Sequence, residues 1–189
     1  MSLSLWGKCP GMNEDVTCFI PTPENAEAIA RLHVASWREA YCGIVPDEVL
    51  DGVDMAERVS SWRRYLGFKG YPTFLALAGG EAAGFIRAGR LAEPLVEGAD
   101  GHIYALYVLA RHHRRGIGRR LMGLVAAAWV EQGGCSMSVG VLTANAPARA
   151  FYEALGGRFV TFDVYEWDGH ALDESIYLFE NLQELARLA

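Results

Sequence analysis

The sequence predicts a mixed α/β fold in which helices pack on a single sheet. Three observations support this prediction. The 189 residues, 51% of them hydrophobic, are enough for one ordinary core and too few for two. Segments with helical spacing of apolar residues alternate with short runs rich in β-branched and aromatic residues. No repeat, low-complexity tract or linker interrupts the pattern, so residues 1–189 are expected to form one domain, with residues 1–14 as its disordered or tag-derived start.

The first third of the chain predicts a strand followed by two helices. Residues 15 to 20 form a short apolar strand. Residues 22 to 41 form a helix, because Thr22 can cap it and apolar residues recur at steps of three and four. Residues 54 to 66 begin with an Asp-x-x-Glu capping box and form the second helix.

The middle of the chain predicts a hairpin, a central strand and a helix. Residues 73 to 91 contain two apolar runs around Gly79-Gly80, which is a hairpin signal. Residues 101 to 109 are β-branched and aromatic, as expected of a central strand. The next helix follows Gly116-Ile117-Gly118 and ends at Gly133-Gly134.

The last third predicts three strands and one short helix. Residues 136 to 142 form a strand, and residues 145 to 157 form a helix with its own glycine stop. Two closing strands are expected over residues 158 to 167 and 174 to 180.

Positive charge is concentrated in one short segment of an otherwise acidic chain. The formal net charge is −6, and five arginines lie between residues 111 and 120, so the remaining residues carry −11. A general nucleic-acid binder spreads its basic residues over a face and has a net positive charge. The segment therefore indicates a local anion site, and no nucleic-acid partner is expected.

Nothing in the sequence suggests export, a membrane span or a metal site. No run of 18 apolar residues is present, and the N-terminus lacks the features of a secretory signal, so a cytoplasmic protein with no membrane partner is expected. His112-His113 lacks further ligands at metal-binding spacing. The cysteines have no C-x-x-C pair and are expected to be free, mostly buried thiols: Cys9, Cys18, Cys42 and Cys135.

The glycine turn before the third helix has the features of a phosphate site. A strand that ends in a glycine turn opening a helix leaves backbone N–H groups unpaired at the positive end of the helix dipole. Arg114, Arg115 and Arg119 can add charge-assisted hydrogen bonds. Neither G-x-x-x-x-G-K-[ST] nor G-x-G-x-x-G is present, so the residues alone predict a diphosphate or another phosphate-bearing cofactor.

Three stretches together resemble the GNAT superfamily of N-acetyltransferases, of the bacterial type. "IYALYVLARHHRRGIGRRLM" (103 to 122) resembles its acetyl-CoA motif, and "NAPARAFYEALGGR" (145 to 158) resembles the motif that follows. "LHVASWREAYCGIVPDEVLD" (32 to 51) is similar to the first-helix region. The resemblance implies a central, mostly antiparallel sheet of six to seven strands, about four flanking helices, and acetyl-CoA as co-substrate without a metal.

The resemblance also implies a set of cofactor-binding residues. His113 departs from the family pattern, because that position usually holds Gln or Arg, so its side-chain contribution is open and Arg114 or Arg115 can substitute for it. For Asn145 a simple helix-capping role stays open. The implied set is Tyr107, Val108, His113, Arg114, Arg115, Gly116, Ile117, Gly118, Arg119, Asn145, Ala148 and Phe151.

The family mechanism is direct attack of a neutral amine on the thioester, and it needs an acid and a base. Tyr152 matches the family tyrosine that protonates the departing thiolate, although a tyrosine of the core would fit the same position. His102 is the candidate base, on the strand face that period-two alternation assigns to Tyr104, Leu106 and Val108. A structural role for His102 stays open, and His33 is expected to be a core histidine.

The acceptor is expected to be a primary amine of a small molecule or peptide. The family's groove lies between the first two helices and the last strands, which would place Trp37, Tyr41 and Trp62 near it, unless they belong to the core. Acidic residues of the last hairpin could attract a cationic amine, or simply form a solvated surface. They are Asp163, Glu166, Asp168, Asp173 and Glu174.

These expectations define three function classes. An acetyl-CoA-dependent N-acetyltransferase agrees best with the motifs. A non-catalytic acyl-CoA-binding sensor or regulatory module is the alternative, because of His113 and the unidentified base. A nucleic-acid binder would need the arginines to outweigh an acidic chain. A homodimer is compatible with the family, and no segment of the sequence specifies its interface.

Overall fold

Seven strands form one sheet in the computed structural model, which describes residues 16–167 and 169–189. The strand order is β1-β2-β3-β4-β5-β7-β6, and every pair is antiparallel except β4 with β5. The bounds are β1 Val16–Phe19, β2 Thr73–Ala78, β3 Glu81–Gly89, β4 Gly101–Val108, β5 Met137–Leu142, β6 Arg158–Trp167 and β7 His170–Phe179. The expected six to seven strands and their mostly antiparallel order are confirmed.

Four helices of nine or more residues match the four that the sequence predicts. They are α1 Ala26–Tyr41, α3 Met55–Gly67, α4 Ile117–Glu131 and α5 Ala146–Ala154. Asp54 caps α3 as expected, since its carboxylate accepts the N–H groups of Ala56 and Glu57.

Two short helices and one strand boundary differ from the prediction. The helices α2 (Asp47–Asp51) and α6 (Leu182–Ala186) have five residues each, too few for a helical period to appear in the sequence. The strand β7 begins at His170, four residues before the predicted start, because the acidic stretch pairs with β6 instead of forming a loop. The expected start over residues 1–14 lies outside the described residues.

The helices divide between the two faces of the sheet. On the α4 face, α4, α5 and α6 cover the largest core, which includes Ile103, Leu121 and Tyr152. On the α1 face, α1 and α3 cover a second core around Ile29 and Phe85. These two names are used for the faces below.

The strands β4 and β5 separate in the middle of the sheet. They pair only from Gly101↔Met137 to Ile103↔Val139, whereas β4 continues beside β3 to Val108 and β5 continues beside β7 to Leu142. The parallel neighbours therefore leave a V-shaped gap, called the β4–β5 gap below, that is closed at Ile103 and open toward the end of β4.

A register shift in β4 corrects the predicted face of His102. The pairing with β3 shifts between Ala105 and Ile103, so that Ile103 and Leu106 pack in the same core while Ala105 packs in the other. Strict alternation fails at this bulge. His102 therefore lies on the face opposite to Leu106 and Val108, not with them.

The cysteine prediction is partly wrong. Cys18 is half-buried, but Cys42 and Cys135 are exposed, because they lie at the end of α1 and before β5, where the chain leaves the core. Cys9 lies outside the described residues. Within residues 16–167 and 169–189, no helix is long and apolar enough to cross a membrane.

Candidate functional site

The turn between β4 and α4 presents backbone N–H groups at a helix start. Gly116 is the N-cap of α4 with φ of 80°, and Arg114 also has a positive φ of 62°, which is unusual for a residue with a side chain. The Arg120 N–H donates to the Gly116 carbonyl at 3.0 Å as an i−4 bond. The N–H groups of Ile117 and its two successors precede that bond, so they can donate to an anion.

Two arginines of the basic segment are engaged within the protein. The Arg111 Nη2 lies 3.7 Å from Glu81 Oε2 on β3. The Arg115 Nη1 lies 3.1 Å from Nδ1 of His112. Both side chains therefore help to hold the turn in place.

Arg114 and Arg119 are exposed at the same turn, and neither forms an ion pair with another described residue. Both therefore present a positive charge beside the helix start. His113 has a different role, because its Nε2 lies 2.8 Å from the Val108 carbonyl and donates a hydrogen bond to it. His113, the residue that differs from the family motif, thus fixes the end of β4.

The backbone of β4 alternates between β3 and the β4–β5 gap. The Leu109 N–H donates to the Ala83 carbonyl at 3.0 Å, and alternation then directs the backbone groups of Tyr107 toward β3. Those of Leu106 and Val108 point into the gap, where β5 no longer pairs with β4. Leu106 was not among the predicted cofactor residues, because the sequence alone does not show which backbone groups of β4 face the side where β5 no longer pairs.

The helix α5 seals the α4 face of the gap. Phe151 packs against Gly118, where a Cβ would lie 3.2 Å from the ring, so a side chain at this position would crowd the ring. Asn145 caps α5, since its side chain accepts the Ala148 N–H at 3.2 Å. The capping alternative for Asn145 is thus realised, and Ala148 packs at the edge of the core.

Tyr152 is buried on α5 with its ring near Tyr177 and Phe179. No other described residue hydrogen bonds to its hydroxyl group. Burial raises the pKa of Tyr152 well above its usual value, and the nearby Tyr41 phenol raises it further. Tyr41 belongs to α1, on the opposite face of the sheet.

Two tyrosine hydroxyls and an indole form a hydrogen-bonded chain on the α1 face. The Trp37 Nε1 donates to the Tyr107 hydroxyl at 2.7 Å, and the hydroxyls of Tyr107 and Tyr41 are 3.0 Å apart. Burial raises the pKa of Tyr107 well above its usual value, and the nearby Tyr41 contributes. All three side chains are neutral at pH 7, and Tyr107 places them near the open end of the gap.

Aromatic rings extend this chain toward the last hairpin. The Trp167 ring on β6 lies 4.3 Å from that of Trp37 and 6.5 Å from that of Tyr41, which confirms that the first helix meets the last strands. Trp62 is instead 3% exposed, and its indole N–H donates to Nδ1 of His33 at 3.2 Å. The alternative that Trp62 belongs to the core is therefore confirmed, and His33 is the core histidine that the sequence predicts.

Pairing of β6 with β7 sorts the acidic residues by face. Asp163 stands opposite Glu174, in the same set of cross-strand pairs as Trp167, so both carboxylates are on the α1 face. Glu166 and Asp173 alternate with them and point to the other side. Asp168 lies outside the described residues.

Glu174 occupies a defined position on the α1 face. Its carboxylate lies over Gly140 of β5, where a Cβ would overlap it. Burial raises the pKa of Glu174 to about 7, and the nearby Asp163 contributes. A glycine inside a strand was the available signal for such close approach, but it does not reveal what approaches.

His102 lies at the closed end of the gap. Its Nδ1 is 3.0 Å from Ser138 Oγ, and its ring contacts that of Tyr104 at 5.2 Å. Burial lowers the pKa of His102 to about 4, so the ring is neutral at pH 7. Among residues 16–167 and 169–189, no group of three or more His, Cys, Asp or Glu side chains could hold a metal ion.

Comparison with known proteins agrees with this geometry. The model of the acetyltransferase (GNAT) family matches residues 26–157. The chain is 34% identical over 152 residues to YuaI of Bacillus subtilis (strain 168), described as an uncharacterized N-acetyltransferase, covering 80% of this chain and 85% of that protein.

Two solved structures have a similar fold. The PaiA N-acetyltransferase of Thermoplasma acidophilum, in complex with coenzyme A, has a TM-score of 0.64 at 18% identity, over 85% of this chain and 97% of that one. The yncA structure from Salmonella typhimurium, with its cofactor acetyl-CoA, has a TM-score of 0.65 at 18% identity, over 88% and 94% of the two chains.

Proposed function

Since the chain belongs to the acetyltransferase (GNAT) family, we propose that it transfers the acetyl group of acetyl-CoA to a primary amine of a small molecule or peptide. One observation carries the proposal: the β4–β5 gap joins a helix start with free N–H groups on one side to an aromatic, acidic surface on the other. Such a gap can admit a thioester from one face and an amine from the other.

The turn before α4 would hold the pyrophosphate of acetyl-CoA. The N–H groups of Ile117, Gly118 and Arg119 point from the helix start, and Arg114 and Arg119 add positive charge. The two solved structures of similar fold contain coenzyme A or acetyl-CoA, which fits this assignment.

The backbone of β4 would hold the pantetheine arm and polarise the thioester. The Val108 N–H and the N–H and carbonyl of Leu106 face the gap without a partner strand. The Val108 carbonyl already accepts from His113, so the N–H of Val108 is the group left to donate to the thioester oxygen as negative charge develops there.

Tyr152 would protonate the departing thiolate. A phenol is protonated at neutral pH, and no other described residue forms a hydrogen bond to the Tyr152 hydroxyl, which leaves its proton available to donate. The influence of Tyr41, which belongs to the opposite face, on the Tyr152 phenol supports a position of this hydroxyl near the gap. A proton donor at that point lowers the cost of breaking the carbon–sulfur bond.

His102 is a weak candidate for the base. A ring whose pKa is about 4 is unprotonated at neutral pH, but it has little tendency to take a proton from an ammonium group. Its hydrogen bond to Ser138 and its position at the closed end support a structural role in joining β4 to β5. A base nearer the open part of the gap would therefore fit the reaction better.

Calorimetric titration tests the cofactor assignment. We expect acetyl-CoA to bind the wild-type protein well below millimolar, and dephosphorylated pantetheine to bind far more weakly. Thiol release is then measured with 2-phenylethylamine, 1,4-diaminobutane and a tetrapeptide with a free N-terminus. Release that depends on an amine supports the transferase, binding without release supports the sensor alternative, and absence of binding contradicts both.

A further inference from the structure

We propose that Glu174 is the catalytic base, which takes a proton from the acceptor's ammonium group. This inference rests on the proposed function, because it assigns a role within the same site. It replaces His102 with a residue that the sequence identifies only as one of five acidic residues near the last hairpin.

Strand register places Glu174 beside the open part of the β4–β5 gap. It pairs with Leu142 of β5, and its carboxylate reaches back over Gly140. Both positions lie beyond Val139, where β4 stops pairing with β5, whereas His102 pairs with Ser138 before that point. Along the sheet, Glu174 therefore lies level with the part of β4 whose backbone groups face the gap without a partner strand.

The carboxylate of Glu174 has a fixed place over Gly140 but no cationic partner among the described residues. It accepts no hydrogen bond and joins no ion pair from the described part of the chain, and the residue is only half-buried. Gly140 leaves the space that it occupies, since any larger residue there would displace it. A half-buried carboxylate without a cationic partner is suited to receive an ammonium group.

The charged and titratable groups around Glu174 come from three elements. Asp163 and Tyr165 face it from β6, and Tyr41 faces it from α1. Arg58 of α3 lies farther out, with its guanidinium 4.8 Å above the Trp37 ring, and it acts on Tyr165. Burial and the Asp163 charge raise the pKa of Glu174 to about 7, which suits a base that works at neutral pH.

The proton balance of the reaction is complete with Glu174 and Tyr152. The Glu174 carboxylate takes one proton from the ammonium group, and the neutral amine forms the carbon–nitrogen bond. The carbon–sulfur bond breaks, Tyr152 gives its proton to the sulfur, and the phenol regains a proton from the new carbon–nitrogen centre through water. Glu174 releases its proton to solvent, so the net products are amide, thiol and one proton.

The decisive variant is Glu174→Gln. It is assayed with whichever of 2-phenylethylamine, 1,4-diaminobutane and the tetrapeptide the wild-type protein acetylates fastest, and separately with hydroxylamine. We expect kcat/KM for that amine to fall about 10²- to 10⁴-fold at pH 7. The rate with hydroxylamine, which is already unprotonated at this pH, should change far less. The wild-type acid limb near pH 7 should disappear, while the Kd of acetyl-CoA stays unchanged.

Two further variants separate chemistry from folding. Asp173→Asn is the matched control, because its side chain loses the same charge one residue away on the opposite side of β7, and it should behave as wild type. Gly140→Ala keeps the carboxylate but displaces it, so it should lower the rate with the ammonium substrate and spare hydroxylamine.

A readout independent of turnover uses the ¹³C signal of the Glu174 carboxyl group. With CoA bound, 2-phenylethylamine should lower its titration midpoint, because an adjacent ammonium group favours the ionised carboxylate. An unchanged midpoint together with an unchanged Glu174→Gln rate would overturn this proposal alone. A wild-type protein that binds no acetyl-CoA, or acetylates none of the amines, overturns the proposed function and this assignment with it.

Discussion

The two faces of the sheet at the β4–β5 gap are built in different ways. On the α4 face, the turn, the helix start and the capping residue of α5 come from two continuous stretches of chain, Gly101–Glu131 and Asn145–Ala154. On the α1 face, the polar and aromatic lining comes from five elements: α1, α3, β4, β6 and β7. A local motif can encode the first arrangement, whereas only the whole fold assembles the second.

The difference has a chemical counterpart. The α4 face offers mainly backbone groups and exposed arginines, which suit a ligand of constant structure. The α1 face offers side chains in a particular combination, a half-buried carboxylate beside aromatic rings. We therefore expect substitutions on the α4 face to alter acetyl-CoA binding, and those on the α1 face to alter use of the amine.

Tyr152→Phe should have the largest effect and sharpen the comparison, because Tyr152 belongs to the α4 face and its proposed role is at the gap. We expect kcat/KM to fall about 10²- to 10⁴-fold while the Kd of acetyl-CoA stays the same, since only the proton donor is lost. Tyr177→Phe is the control, because the Tyr177 hydroxyl donates to Glu153 away from the gap. Equal losses in both variants would mean that core packing, not proton donation, explains the result.

His33 should make stability sensitive to acid through the α1 face. Burial lowers its folded pKa to about 3, with a contribution from Arg58, while the unfolded chain binds a proton near the usual value of about 6.5. The unfolded state therefore holds more protons between these values, and stability falls as pH decreases from about 6.5 toward 3.

We expect this loss to be on the order of 4 kcal/mol by pH 3, measured as the free energy of unfolding in urea at several pH values. His33→Gln keeps an acceptor for the Trp62 indole and removes the titrating ring. The variant should show a smaller pH dependence over this range. Identical slopes for the two proteins would contradict the buried, neutral state of His33.

Arg114 and Arg119 test the phosphate assignment on the α4 face. Replacing each with Ala should weaken acetyl-CoA binding about tenfold, because each loses a charge-assisted hydrogen bond to phosphate. Binding of dephosphorylated pantetheine should not change. Arg158→Ala is the control, since that exposed arginine pairs with Glu180 on the last strands. Equal weakening of pantetheine binding would place the arginines elsewhere than at the phosphates.

Trp37→Phe should have the smallest effect and remain confined to the α1 face. The variant keeps an aromatic ring but loses the hydrogen bond to the Tyr107 hydroxyl, a change worth about 1 kcal/mol. We expect KM for the amine to rise about fivefold with no change in acetyl-CoA binding. A change in acetyl-CoA affinity of the same size would break the division between the two faces.

The fold and the α4 face were accessible from sequence because their signals are local. Alternation predicted the strands, and the motif around Gly116 predicted the turn that the structure contains. The close contact at Gly118 was less visible, since the ring that would crowd a side chain there belongs to Phe151, 33 residues later.

The α1 face was predicted less well because its signals depend on register. One bulge in β4 reverses the face of His102, and no sequence pattern reveals a bulge of this kind. Trp62 follows the same helical spacing as a groove residue would, yet it is buried against His33. Glu174 differs from Asp173 only by the side of β7 on which it lies, and that is fixed by pairing with β5.

Amide hydrogen exchange at β4, with and without bound CoA, tests most directly whether the β4–β5 gap holds the pantetheine arm. We expect CoA to slow exchange of the Val108 N–H, which points into the gap, and to leave the Tyr107 N–H unchanged, because that group already forms a hydrogen bond toward β3. Unchanged exchange at Val108 in the presence of bound CoA would contradict the placement of the cofactor in the gap.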